Sequence, residues 1–185
     1  MAKRQSEKPI TIGSGTAYIA EFTGSTVPDH ATLCVEGNRL AYIKSGATIN
    51  YSKETYTASD DLGKIKKTIT TKEDVTVAMG LLGWVGTTLK KLCSTARVTE
   101  ASGIRTVKIG GIDNDDGKRY ALCIHHHDAQ DGDCWWTIVG KNTAGFELAY
   151  NPDSETAVNP TFTAEPMDSE GTLVIYEEEI GSQVG

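Results

Sequence analysis

Apolar and polar residues alternate along much of the chain, and the alternation has the period of strands. The clearest run is "KIKKTITTKEDVTVAM" (64–79). Ile65, Ile69, Val75, Val77 and Met79 share one parity, and Lys66, Thr68, Thr70, Lys72, Asp74 and Thr76 share the other. A period of two with one apolar face predicts a strand that is dry on one side and wet on the other. Shorter strands are predicted at "TAYIAEF" (16–22), "TLCVEG" (32–37), "RLAYI" (39–43) and "ATINYSKETYT" (47–57). Beyond residue 100 they recur at "RTVKIG" (105–110), "KRYALCIHH" (118–126), "DCWWTIVG" (133–140), "AGFELAY" (144–150), "PTFTAE" (160–165) and "TLVIYEEE" (172–179). Turn residues punctuate them, as at "GSTVPDH", "SDDLGK", "GIDNDDG" and "PMDSEG".

One segment departs from this period. In "LLGWVGTTLKKLCSTA", Leu81, Val85, Leu89, Leu92 and Ala96 recur every three or four residues, the spacing of one helical face. A short helix is predicted within 81–95, firmest over about 87–95, with Thr87 or Thr88 as its cap. Gly83 and Gly86 weaken its first half by about 1 kcal/mol each relative to alanine. Many evenly spaced strands with one helix predict an all-β fold, a sandwich or barrel. No repeat or linker divides it, so residues 10–180 read as one domain. The polar segment 1–9 reads as a flexible arm and 181–185 as a short tail.

The segment "CIHHHDAQDGDCW" (123–135) carries the densest chemistry. With Asp128 to Gly132 as a loop, His126 pairs with Cys134, Ile124 with Trp136 and Leu122 with Ile138, which makes one apolar face. The other face receives Cys123, His125, His127, Asp133 and Trp135. His125 and His127 then lie about 7 Å apart along one strand, and with Asp133 and Cys123 they form the candidate metal ligands. Supporting motifs are missing: there is no H-E-x-x-H, and no carboxylate is placed to orient the histidines. The expectation from the residues is therefore a hairpin tip, with no metal, cofactor or catalytic residue assigned. In "GIDNDDGK", the aspartates Asp113, Asp115 and Asp116 fit a tight turn with Asn114 or Gly117 at positive φ better than a calcium loop.

Composition narrows the classes further. The formal net charge of −7 over 185 residues disfavours a protein that grips phosphate backbones. "MAKRQSEKPITIGSG" lacks the apolar core of a secretory signal, and "AMGLLGWVG" is too short to cross a bilayer. Reduced thiols are expected for Cys34, Cys93, Cys123 and Cys134, although a bridge between Cys123 and Cys134 across the hairpin is conceivable. No Walker loop, dinucleotide fingerprint or nucleophile elbow is present.

The pieces "DAQDGDCWWTIVGKN" (128–142), "AGFELAY" (144–150) and "FTAEPMDSEGTLVIYEE" (162–178), with the plan of 49–80 followed by "TTLKKL", resemble the major tail proteins, or tail tube proteins, of tailed bacteriophages and prophages. The likeness spans about residues 10–179 and is one of pattern. It implies a virion protein whose β-domain has one helix at its flank. Six copies would form a ring, and rings would stack into a hollow tail tube that conducts DNA without binding it. It implies tape-measure and tail-completion or initiator proteins as partners, assembly in the host cytoplasm, and no membrane insertion.

By the same analogy, Thr68, Thr70, Lys72, Asp74 and Thr76 would face the lumen. Lys3 and Arg4 in the arm, with Ser59, Asp60, Asp61, Leu62, Gly63 and Lys64, would touch neighbouring subunits. Six times −7 gives −42 formal charges per ring, and like charges 10 Å apart in water repel by only about 0.4 kcal/mol before screening, a weak lubrication. The histidine triplet and the four cysteines are not features of that family. The alternatives are a metal-binding β-sandwich or hydrolase centred on His125 and His127, the tube of a contractile injection machine, and a monomeric binding domain.

Overall fold

A computed structural model describes residues 10–24 and 26–180, so the arm 1–9, with Lys3 and Arg4, and the tail 181–185 lie outside the described residues. The fold is all-β. Its strands are β1 (Thr16–Phe22), β2 (Arg39–Ser59), β3 (Lys66–Leu82), β4 (Arg97–Ala101), β5 (Ile104–Lys108), β6 (Arg119–His126), β7 (Cys134–Asn142), β8 (Thr161–Ala164) and β9 (Val174–Glu178). Two short helices, α1 (His30–Leu33) and α2 (Gly86–Leu92), interrupt them. No helix among the described residues is long and apolar enough to cross a membrane.

Six strands close on themselves in the order β1, β2, β3, β8, β7, β6 and back to β1, every pair antiparallel. Of the two expected architectures, the sheet is therefore a barrel. Its interior is filled by Ala17, Ile19, Val75, Val77, Met79, Leu81, Leu122, Ile124, Ile138, Val158 and Phe162. The outer face of β1, β6 and β7 is also apolar, and α1 covers it through Leu33 with Phe22, Cys123, Trp135, Val139 and Met167. Burial on both faces explains why β6 and β7 read as nearly continuous apolar runs. The edge of β7 is shared: Gly140–Asn142 pairs with β8, and Cys134–Ile138 pairs with β9.

β7 and β8 approach closely at Gly140. A Cβ added to Gly140 would collide with the Thr163 carbonyl oxygen, an obstacle of backbone and not of a movable side chain. Gly140→Ala is expected to destabilise the fold by about 3 kcal/mol, read as a fall in Tm of roughly 6–12 °C.

Several expectations are corrected. Residues 32–37 are not a strand: Asp29 accepts from the Thr32 N–H at 2.8 Å and starts α1, and a 3-10 turn follows at Glu36–Asn38. The segments 39–43 and 47–57 are one strand, bulged at Ser45 and Gly46, both of which take positive φ. Ala144–Tyr150 pairs with no strand as a segment; Phe146 and Leu148 only pack against the core. The helix starts later than the predicted window, because Leu81 belongs to β3 and bridges Val158, and it ends earlier, at Leu92, where Cys93 turns to extended backbone. The N-cap is Val85 and not Thr87 or Thr88, both of which lie within the helix; the Thr88 hydroxyl only reaches back to accept from the Val85 N–H at 3.3 Å. In "GIDNDDGK", Gly117 takes positive φ.

The alternating face of 64–79 needs the largest revision. Lys72 pairs with Glu54 but Thr70 pairs with Thr55, so Thr71 is an extra residue. A bulge of this kind reverses the parity of everything beyond it. Lys72, Asp74 and Thr76 therefore share a face with Ile69, while Thr68 and Thr70 continue the face of Val75 and Val77. Two contacts agree with this sorting: Lys72 Nζ lies 2.6 Å from Asp74, and the Thr68 and Thr57 hydroxyls lie 2.8 Å apart.

Candidate functional site

Two features of the molecule bear on function. The first is the distal part of the β2–β3 hairpin. β1 pairs with β2 only at Arg39 and Ala41, and β8 pairs with β3 only at Thr76–Ala78. Beyond those pairs the two strands run on as a ribbon, and Tyr51 to Glu73 is exposed throughout. From Ser52 to Ser59 the ribbon extends about 26 Å. The β1-side edge of β2 and the β8-side edge of β3 have no strand partner there among the described residues.

The ribbon is not an ordinary solvated surface. Tyr51, Tyr56, Leu62, Ile65 and Ile69 all stand in water, Leu62 and Ile65 at 77% and 74% exposure. Between residues 52 and 75, five lysines (53, 64, 66, 67, 72) balance five acidic residues (54, 60, 61, 73, 74), so the ribbon is neutral on a chain of net charge −7. Its tip is ordered. The Asp60 carboxylate accepts from the Ile65 N–H at 2.8 Å, Gly63 N–H donates to the Asp60 carbonyl at 3.0 Å, and Gly63 takes φ +67°. Ser59, Asp60, Asp61, Leu62, Gly63 and Lys64 thus form a defined, outward-facing turn.

The second feature is the β6–β7 turn. The hairpin register is the expected one, with His126 opposite Cys134, Ile124 opposite Trp136 and Leu122 opposite Ile138. Just beyond the last pair, one carboxylate joins both histidines: His125 Nε2 lies 2.8 Å from Asp133 Oδ2, and His127 Nδ1 lies 2.7 Å from Asp133 Oδ1. The Asp128 N–H also donates to Asp133 Oδ1, at 3.1 Å. Burial raises the Asp133 carboxyl, but the donors from His125, Asp128 and His127 outweigh it and hold the group below the ordinary carboxylate range.

Cys123 does not join this cluster. It is fully buried, and its Sγ lies 3.4 Å from Sγ of Cys34. The hydrogen bond to Cys123 and then burial push the Cys34 thiol up, while the same hydrogen bond lowers its buried partner Cys123. A bridge between Cys123 and Cys134 is excluded by the register, since Cys123 faces Thr137 and Cys134 faces His126 on the opposite side of the sheet.

Around the turn lies an open cavity of about 560 Å³, lined by Tyr18, His30, Cys34, His125, Trp135 and Glu179 among others. Trp135 stacks on His125 (centroids 5.2 Å apart, planes at 12°) and on His30 (4.1 Å, 19°). His30 is held in turn by Glu177, 3.0 Å away and 147 residues distant in sequence. Sequence reasoning found His125, His127 and Asp133 because they share one local hairpin. It missed His30, Cys34 and Glu177, which only the packing of α1 and β9 against that hairpin brings near. No family model matches the chain, and no curated protein matches it.

Proposed function

We propose that the chain is the subunit of a phage or prophage tail tube, in which six-membered rings stack into a hollow conduit for DNA. The observation that carries this reading is the β2–β3 ribbon, with both edges open and apolar side chains in water. A two-stranded ribbon is marginal by itself, and open edges invite pairing. The two edges belong to different strands, so the β2 edge of one copy can pair with the β3 edge of the next. That contact is head-to-tail, and a suitable rotation closes it into a ring. Because β2 and β3 run antiparallel, strand direction alternates around the ring and every new pair is antiparallel too. Closure leaves no edge exposed. The number six comes from the resemblance alone.

In such a ring, the face carrying Lys72, Asp74 and Thr76 lies opposite the barrel core and turns toward the channel. The bulge takes Thr68 and Thr70 out of the lumen set, onto the core-side face. The contact of Lys72 with Asp74 (2.6 Å) weakens its pull on a passing phosphate. The 59–64 turn, at the ribbon's end, is placed to meet the adjacent ring. Tape-measure and initiator proteins are the further partners of this reading, the virion tail is its location, and it assigns no catalytic step to the chain.

Negative-stain electron microscopy of the tag-free protein at high concentration tests it. Hollow tubes, or rings with an open centre, are the expected result. Single-chain particles at every concentration, unchanged by solution conditions that promote association, would contradict it.

A further inference from the structure

We propose that His125, His127 and Asp133 form a binding site for one divalent ion of the zinc class, which would clamp the β6–β7 turn. The donor set is two imidazole nitrogens and a carboxylate, each on a different residue, with the ligand atoms all within 4.8 Å of one another. Imidazole with carboxylate suits zinc and its neighbours, whereas magnesium and calcium take oxygen ligands. A tetrahedral ion with bonds of about 2.0–2.1 Å needs its ligand atoms roughly 3.3 Å apart. The two hydrogen-bonded spacings, 2.8 and 2.7 Å, fall below that value, and no two of the ligand atoms are more than 4.8 Å apart.

The ligands are already held. Trp135 stacks on the His125 ring, and the Asp128 N–H fixes one oxygen of Asp133. The Asp133 backbone is tied on both sides, since its N–H donates to a Glu179 carboxylate oxygen at 3.2 Å and its carbonyl accepts from the Glu179 N–H at 2.9 Å. The turn between the ligands is built on Asp128, whose carboxylate accepts from the N–H groups of Gln130 and Asp131, and on Gly132 at φ +87°. Such outer support orients metal ligands and is worth about 10–100-fold in affinity. The cavity beside His125 leaves room for water as the fourth ligand.

In the hydrogen-bonded state, the ring nitrogens that face Asp133 carry its donated protons. An ion would take those two nitrogens as lone-pair donors, so each must give up its proton: a neutral ring exchanges it through water for one on its other nitrogen, and an imidazolium releases one proton to water. The three side chains thus exchange a mutual hydrogen-bonded state for a common ion.

The test uses the whole chain with any affinity tag removed, stripped with chelator, reloaded with zinc chloride and desalted. One zinc retained per chain is expected, with a rise in Tm at one equivalent. His125→Ala/His127→Ala should weaken zinc binding by at least about tenfold and abolish the rise. His127→Ala alone is the control for folding, because that side chain is 72% exposed; it should weaken binding with no change in the metal-free Tm. His30→Ala, which removes a ring that stacks on Trp135 but is not one of the three ligands, should keep the zinc. Substoichiometric zinc in the wild-type chain, or equal retention by the double variant, would overturn the proposal. Neither outcome touches the ribbon, so the site and the tube stand or fall separately.

Discussion

A chain lacking residues 54–72, with Lys53 joined to Glu73 through Asn-Gly, is expected to fold and to form no tubes. Every deleted residue is exposed, so the barrel core loses no buried contact. Lys53 and Glu73 are cross-strand partners, and Asn-Gly is the two-residue turn that suits such a pair. Fully burying Leu62, Ile65 and Ile69 between copies would contribute roughly 5–9 kcal/mol. Association itself costs about 4–15 kcal/mol, so those side chains alone do not guarantee assembly, and the strand edges must supply the rest. Removing both should abolish polymerisation outright. The check is paired: Tm within a few degrees of the parent, and a sedimentation profile that stays at one chain at concentrations where the parent polymerises.

Phe162→Ala should do the reverse and weaken the fold itself. Phe162 is wholly buried on β8, the strand that joins β3 to β7 and completes the barrel, and it pairs with Val77 on one side and Asn142 on the other. Phenylalanine truncations in cores cost about 3–5 kcal/mol, a large part of the 5–15 kcal/mol that holds a typical domain. Chemical denaturation should show the midpoint falling with an unchanged slope. A change below about 1 kcal/mol would mean that the β3–β8–β7 connection is not what closes the sheet.

The parts of the fold that were legible in the sequence are those where parity and burial agree. The β6–β7 register could be read residue by residue because a one-residue slip would have put Leu122, Ile124 and Ile138 on the wrong face. Parity failed on β3 for a specific reason. Ile69 stands in phase with Val75 by number, but the bulge at Thr71 lies in a polar stretch, where no apolar residue registers the shift. Ala144–Tyr150 alternates like a strand, yet β8 and β9 already occupy the β7 edge that it follows. β4 was invisible because "RVTEA" carries one apolar branched residue among polar ones, and its pairing with β5 is local to a surface hairpin. The His125, His127 and Asp133 cluster was legible as far as the local turn reaches. The stacking of His30 and the thiol pair of Cys34 and Cys123 depend on contacts across 89 residues or more, which no local pattern encodes.

Hydrogen exchange along the β2–β3 ribbon, compared between unassembled and assembled protein, tests the central claim most directly. In the single chain, the outward-pointing amides of residues 47–59 and 66–75 have no strand partner among the described residues and should exchange quickly. In the assembled form, neighbouring copies should protect both edges by orders of magnitude, while the amides of β6 and β7 change little. Fast exchange along both edges in assembled protein would contradict the account, because the ring would then be held by some surface other than the open strands.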